Sequence, residues 1–371
     1  MTMGDLNTAK RIVIKIGSST LTGNAGSALD QSAVEKIATF VSELKESGRE
    51  VVLVSSGAIA AGLAPLGLHS RPKDLATQQA AASVGQGLLI ARYNQEFSKQ
   101  SIVASQVLLT IDDVVRRSHY QNAQRTLFKL LALGVVPIIN ENDSVGTQEI
   151  RFGDNDRLAA LVSHLIGADL LVLVTDIDAL YDAPPSSSDA KRISRVADLR
   201  EISTVEVGGV GSAGVGSGGM VTKIEAARIA TGAGIRMLLT SLPKLKDAFT
   251  GADVGTIFEP VHDRKPSRLL WLEHAATPRG RLILDSGAVQ ALLERGVSLL
   301  PAGVTGVEGE FSAGDTVELL SPTRDVIARG LVAFDSSEIP QMLGRSTKEL
   351  AATLGAEYER ELVHRDDLVI L

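Results

Sequence analysis

From Arg11 to about Ser241 the chain alternates short, near-continuous apolar runs with longer stretches whose apolar positions recur every three or four residues. RIVIKIG (11–17) and EVVLVSS (50–56) are Val/Ile runs of strand length. Between them, SAVEKIATFVSELKESG (32–48) places Val34, Ile37, Val41 and Leu44 on one helical face. It opens on a Ser32/Glu35 capping box and stops at Gly48, which completes a β-α-β unit.

The rhythm continues through a long helix (74–97), strand IVASQVLLT (102–110), helix QNAQRTLFKLLALG (121–134), strand VVPIIN (135–140), helix DRLAALVSHLIGA (156–168), strand LLVLVTD (170–176) and strand IRMLLTS (235–241). Strands without polar alternation must be covered on both faces, so the pattern predicts an α/β fold with a central, mostly parallel sheet. It stops at AATPRG (275–280). Beyond lie RLILD, one short helix SGAVQALLERG, then VSLLP, DTVELLSP and DVIARGLVAF, short strands punctuated by Gly, Pro and Asp. The predicted organisation is a larger unit at 1–274, a linker at 275–280 and a small β-rich domain at 281–371.

Composition narrows the function. The 371 residues, 44% hydrophobic and 22% charged, suffice for two ordinary globular domains. The longest apolar run, LLALGVVPII, falls short of the ~18 residues of a membrane span. Lys15 interrupts the first apolar run, so no secretory core is present, and a cytoplasmic protein without a membrane partner is expected. The absence of cysteine excludes disulfides, thiolate zinc sites and cysteine nucleophiles. Six histidines are scattered without ligand spacing, and no metal ligands are assigned. The net charge of −7 falls in residues 281–371, with 8 Lys+Arg against 15 Asp+Glu.

Five motifs fall where a strand ends or a helix begins. GVGSGGMVTK (214–223) is a glycine loop running into a helix, suited to an anion and above all a phosphate. It fits G-x-G-x-x-G through Gly214, Gly216 and Gly219, but no acidic residue lies on the following strand, which weakens a dinucleotide oxidoreductase. A Walker loop is excluded because Lys223 follows Thr222 where glycine is needed. KIGSS (15–19) ends the first strand on a lysine, which in a buried strand calls for an anionic partner. EVVLVSSGAIAAG puts Ser55, Ser56 and Gly57 at a strand-to-helix turn. IINENDSVGTQEIRFGDNDRLAALV crowds Asn140, Asn142, Asp143, Asp154, Asn155 and Asp156 after another strand, where Asp154 or Asn155 can also cap the helix. LVLVTDIDALYD places Asp176 and Asp178 after a fifth. Two lysines, two glycine-rich turns and clustered Asx residues at the ends of one sheet form an inventory for phosphoryl transfer with ATP and Mg²⁺.

In order, KIGSS, VSSGAIAAG, NEND, GDND, VTD and GSGGMVTK resemble the amino acid kinase family over nearly the whole chain, and the last ninety residues resemble a PUA domain. The resemblance implies a sandwich-type kinase fold that phosphorylates the γ-carboxylate of L-glutamate with ATP, at the first step of proline synthesis. It implies Lys15 and Lys223 on the phosphates, with Asp156 orienting both. Ser56, Asp143 and Asn155 are implied to hold glutamate. Lys15, Thr175, Asp176 and the loop Ser217, Gly218, Gly219, Met220, Val221, Thr222 and Lys223 are implied to hold ATP. A homo-oligomer, proline as feedback inhibitor and a glutamyl phosphate reductase as partner are implied as well. PUA domains bind RNA in modification enzymes, but the acidic balance here argues against RNA and for a regulatory or assembly role. The alternatives are another carboxylate or carbamate kinase of the same fold, or a regulatory RNA-binding protein.

Overall fold

The structure, a computed structural model, describes residues 3–22, 29–110, 113–114, 117–145, 155–184, 187, 189–202, 219–260 and 278–371. The chain divides into two compact units, Met1–Arg264 and Lys265–Leu371. Residues 275–277 of the expected linker lie outside the described residues, and the second unit's first strand begins at Gly280.

The first unit is built on strands β1 (Arg11–Ile16), β2 (Glu50–Ser55), β3 (Ala104–Leu109), β4 (Val136–Glu141), β5 (Leu170–Thr175), the two-residue strands β6 (Leu180–Tyr181), β7 (Arg192–Ile193) and β8 (Arg195–Val196), then β9 (Arg236–Ser241) and β10 (Thr256–Phe258). Eight of them form one sheet in the order β3-β4-β2-β1-β5-β9-β10-β8. The six strands from β3 to β9 run parallel, β10 turns antiparallel to β9, and β8 runs parallel to β10. The expected mostly parallel sheet is present. β4 and β5 are buried at every position, as strands covered on both faces must be.

The helices are α1 (Ser18–Thr22), α2 (Gln31–Glu46), α3 (Ala58–Leu63), α4 (Leu75–Lys99), α5 (Arg117–Ala132), α6 (Asn155–Leu165), α7 (Met220–Gly232) and α8 (Leu245–Phe249). α2 buries Val34, Ile37, Val41 and Leu44 as its spacing predicts, and Gly48 follows its end with φ +83°. Its start differs from the expected capping box. Asp30 is the cap, accepting from the backbone N–H of Ser32 and Ala33, because a carboxylate there reaches both orphan donors.

α3 and α4 pack backbone to backbone. A Cβ on Gly62 would lie 2.0 Å from the Ala81 carbonyl oxygen, and one on Gly85 would lie 1.8 Å from that of Ala58. Only glycine permits this crossing. It seats the buried face of α4, including Gln86, Leu89 and Tyr93, beside the ends of β2 and β4.

The second unit has β11 (Gly280–Leu284), α9 (Ser286–Arg295), β12 (Val304–Gly309), β13 (Thr316–Leu320), β14 (Val326–Val332), α10 (Thr347–Leu354) and β15 (Val363–Ile370). Its five-stranded sheet has the order β12-β11-β13-β14-β15 and encloses its own core around Leu282, Val317, Leu319, Ile339 and Val363. VSLLP is not a full strand. Leu299 alone bridges to Val363, and Pro301, lacking an N–H, opens a 3₁₀ turn. Among the described residues no helix is long and apolar enough to cross a membrane.

Candidate active site

Parallel strands direct their carboxyl ends to one edge of the sheet, and the order β4-β2-β1-β5 sets Asn140, Ser55, Lys15 and Thr175 side by side there. Lys15 sits in register with Val54 on one neighbour and Leu173 on the other, so it occupies the middle of this edge. α6 begins at the same edge, because Asn155 and Asp156 form its first turn and the buried side chains of its following turns pack on the sheet. α7 packs along α6 and brings Lys223 from its own first turn.

The centre is a buried charge triad. Asp156, 1% exposed, meets the Lys15 ammonium at 2.5 Å through Oδ1 and the Lys223 ammonium at 3.2 Å through Oδ2. Thr222 Oγ1 donates to the same Oδ2 at 3.2 Å. Both lysines are themselves buried, at 5% and 7% exposure. Burial by itself would raise the Asp156 pKa, but the two ammonium groups outweigh it and hold the carboxyl well below the usual range. A group so held stays ionised at any physiological pH, which suits a fixed anion and disqualifies it as a proton acceptor. The triad carries a formal charge of +1, so it is built to receive an anion.

On the β2/β4 side lies a network of amides. Asn155 Nδ2 donates to the Ser55 carbonyl at 3.0 Å, to Ser56 Oγ at 3.0 Å and to Asn140 Oδ1 at 2.8 Å. Asn140 Nδ2 in turn donates to Gln86 Oε1 at 2.7 Å, and Asn140 Oδ1 also accepts from the Glu141 N–H. Asp143 is half-buried in the turn that follows β4. On the β5 side, the Thr175 hydroxyl donates to Asp176 Oδ1 at 2.8 Å. Gly219 precedes α7 in extended conformation and Met220 begins it, while Val221 is exposed.

The sequence-predicted residues therefore separate into three groups along one edge. Lys15, Asp156, Lys223 and Thr222 stand in the middle, Ser56 and Asn155 on one side, Thr175 and Asp176 on the other. Ser217 and Gly218 lie outside the described residues, as do Gly153 and Asp154 of GDND. Sequence reasoning assigned no role to Gln86 and noted Asn140 only as part of a crowd. Asn140 could have been found as a polar residue closing a fully buried strand, whereas Gln86 sits inside a long helix with no local signal.

The amino acid kinase family matches residues 10–241 and the PUA domain matches residues 280–354. A glutamate 5-kinase of Streptomyces avermitilis is 60% identical, covering 98% of this chain and 97% of its own. The glutamate 5-kinase of Thermobifida fusca is 56% identical over 100% of this chain and 95% of its own. The solved structure of a carbamate kinase from Giardia lamblia bound to AMP-PNP covers 69% of this chain and all of that one, with TM-score 0.51 and 19% identity, a likeness of fold. A family match over most of the chain, whole-length relatives and a charge triad on the edge of a parallel sheet converge on one conclusion: the chain belongs to the amino acid kinase family, with a PUA domain at its C-terminal end.

Proposed function

We propose that the chain transfers the γ-phosphoryl group of ATP to the γ-carboxylate of L-glutamate, giving L-glutamyl 5-phosphate at the entry to proline synthesis. The observation that carries this reading is the Lys15–Asp156–Lys223 triad, flanked on one side by the Ser56/Asn155 network and on the other by Thr175 and Asp176. The name shared by the whole-length relatives supports glutamate as the acceptor over other carboxylates or carbamate.

A γ-carboxylate has a pKa of about 4.3 and is already a nucleophile at pH 7, so no general base is needed. What opposes reaction is the repulsion of two anions and the entropy of aligning them in line. In this reading Lys15 and Lys223 sit over the transferring group and neutralise charge on its oxygens, and Asp156 fixes both ammonium groups before substrate arrives. Ser56, Asp143 and Asn155 hold glutamate on the β2/β4 side. Thr175 and Asp176 border the nucleotide, and Ser217 to Lys223 cradle its phosphates.

Both Asp156 oxygens are engaged by lysines, so Mg²⁺ fits here as an ion carried on the phosphate oxygens of ATP, where it would neutralise charge on the leaving group. Homo-oligomer formation, feedback by proline and transfer of the labile product to a reductase belong to the same reading, as does a cytoplasmic location. The acidic balance of residues 281–371 supports a regulatory or assembly role for the second unit over RNA binding.

The test is hydroxylamine trapping of acyl phosphate with ATP and Mg²⁺ and, in separate reactions, glutamate, aspartate and N-acetylglutamate. Hydroxamate from glutamate alone is expected. Signal only with another acid would move the substrate assignment while leaving the chemistry in place.

A further inference from the structure

The amide network reaches beyond the strand ends into α4, and its polarity is fixed by main-chain groups. The Ser55 carbonyl can only accept, so the end of the Asn155 amide facing it is Nδ2. The Glu141 N–H can only donate, so the end of the Asn140 amide facing it is Oδ1. Donation therefore runs one way, from Asn155 to Asn140 to Gln86, over 2.8 and 2.7 Å. Gln86 is 8% exposed and its Oε1 is the terminal acceptor.

The other end of the Asn155 amide is the telling atom. With Nδ2 turned to three acceptors, Oδ1 is left buried without a hydrogen-bond partner among the described residues. A buried, unsatisfied acceptor costs stability and marks a place where a donor is missing. Glutamate at pH 7 carries two carboxylates, which only accept, and one α-ammonium, which only donates. Of the groups on the substrate, only the ammonium complements that oxygen.

We infer that Gln86 is a positioning residue for the glutamate subsite: by accepting from Asn140 it holds Asn140 Oδ1 against Asn155 Nδ2, and so steadies the Asn155 amide, whose sense the Ser55 carbonyl sets, with its carbonyl oxygen presented to the α-ammonium of the substrate. This rests on the reading that glutamate is the acceptor. Gln86 acts through two other side chains, and the charge triad is made by other residues, on α6, α7 and β1. Its removal should therefore affect the binding of one substrate only. An apolar side chain at 86 leaves Asn140 Nδ2 as a buried donor without that partner, and the cheapest relief is rotation of Asn140, which takes from Asn155 the shortest of its three bonds and loosens its side chain.

The experiment compares wild type with Gln86→Met, close in length and without an acceptor, and Gln86→Glu, which keeps an acceptor toward Asn140. Initial rates are measured by hydroxamate formation against glutamate and against ATP, with a melting curve for each protein. For Gln86→Met the KM for glutamate should rise about 10- to 100-fold, the range set by losing one oriented polar contact. The KM for ATP and kcat at saturating glutamate should stay within about threefold, and Gln86→Glu should restore most of the glutamate KM. An unchanged glutamate KM in Gln86→Met, or equal rises for glutamate and ATP, would overturn the inference. Should Gln86→Met fail to fold, Gln86→Ser, too short to reach Asn140, takes its place: a raised glutamate KM with an unchanged ATP KM supports the relay, and an unchanged glutamate KM refutes it. A wild type that makes no hydroxamate from glutamate sinks the substrate reading itself, which separates the two failures.

Discussion

Replacing Asp156 by asparagine isolates the centre of the mechanism, because it removes one charge and almost no volume. The side chain is 1% exposed and meets two ammonium groups that are themselves nearly buried, at 2.5 and 3.2 Å. Without the carboxylate, two like charges remain in low dielectric with no counter-ion. Breaking a buried ion pair from one side costs about 3–5 kcal/mol, and in a domain of this size each kcal/mol moves Tm by about 2–4 °C, so a loss of roughly 10 °C is expected. In the proposed reading ATP brings anions to the same lysines. Its stabilising shift should therefore be at least as large in D156N as in wild type, and its affinity should not fall. Catalysis should suffer far more, since the ammonium groups are no longer held over the transferring phosphoryl. Loss of one preorganised charge-stabilising group typically costs about 10²–10³ in kcat. The assay is thermal melting with and without ATP, alongside hydroxamate rates at saturating substrates. A D156N enzyme within about fivefold of wild-type kcat would refute the claim that Asp156 organises the lysines.

Three further outcomes follow from the same coordinates. Lys223→Met should abolish turnover while leaving far-UV circular dichroism intact, and a near-normal rate would remove Lys223 from the mechanism. Gly85→Ala should lower stability by about 1–3 kcal/mol in urea unfolding, since its Cβ would meet the Ala58 carbonyl at 1.8 Å; a neutral effect would mean that the crossing of α3 and α4 adjusts freely. Tyr93 is buried, and burial pushes its phenol up to about 12 despite the bond to Ser55. A raised pKa stabilises the fold below the ordinary value near 10, and that stability is lost as pH climbs toward about 12. Tyrosinate absorbance from this residue should therefore rise only with loss of structure, and Tyr93→Phe should raise the alkaline midpoint; ionisation near pH 10 in folded protein would contradict this.

Much of the fold could be read from the chain because its strands are covered on both faces, so RIVIKI, VPIINE and LLVLVT stand out as apolar runs between helical spacings. The two lysines of the buried triad were legible for a related reason, since Lys15 in such a run demands an anion and Lys223 ends a glycine loop. Elements whose identity depends on distant partners were not legible. β10 and β8 are three and two residues long and exist through pairing at the far edge, and β15 is a polar-looking VHRDDLVI that its neighbour β14 makes a strand. Small residues in SSGAIAAG read equally well as a ligand turn or as close packing. The structure gives both: Ser56 joins the amide network, and Gly62 lets α4 approach. Gln86 was invisible because one polar residue on a helix says nothing until the helix is placed.

The central claim is that a glutamate oxygen attacks phosphorus at the Lys15–Asp156–Lys223 edge. Its most direct test supplies ATP, Mg²⁺, hydroxylamine and glutamate carrying ¹⁸O in both γ-carboxylate oxygens, and reads the released phosphate by ³¹P NMR. Attack by the γ-carboxylate makes that oxygen the bridge to phosphorus, and hydroxylamine then breaks the bond to the acyl carbon, so each phosphate should carry one ¹⁸O. Unlabelled phosphate released at the same rate would mean that water, and not glutamate, is the nucleophile, and the account would fall.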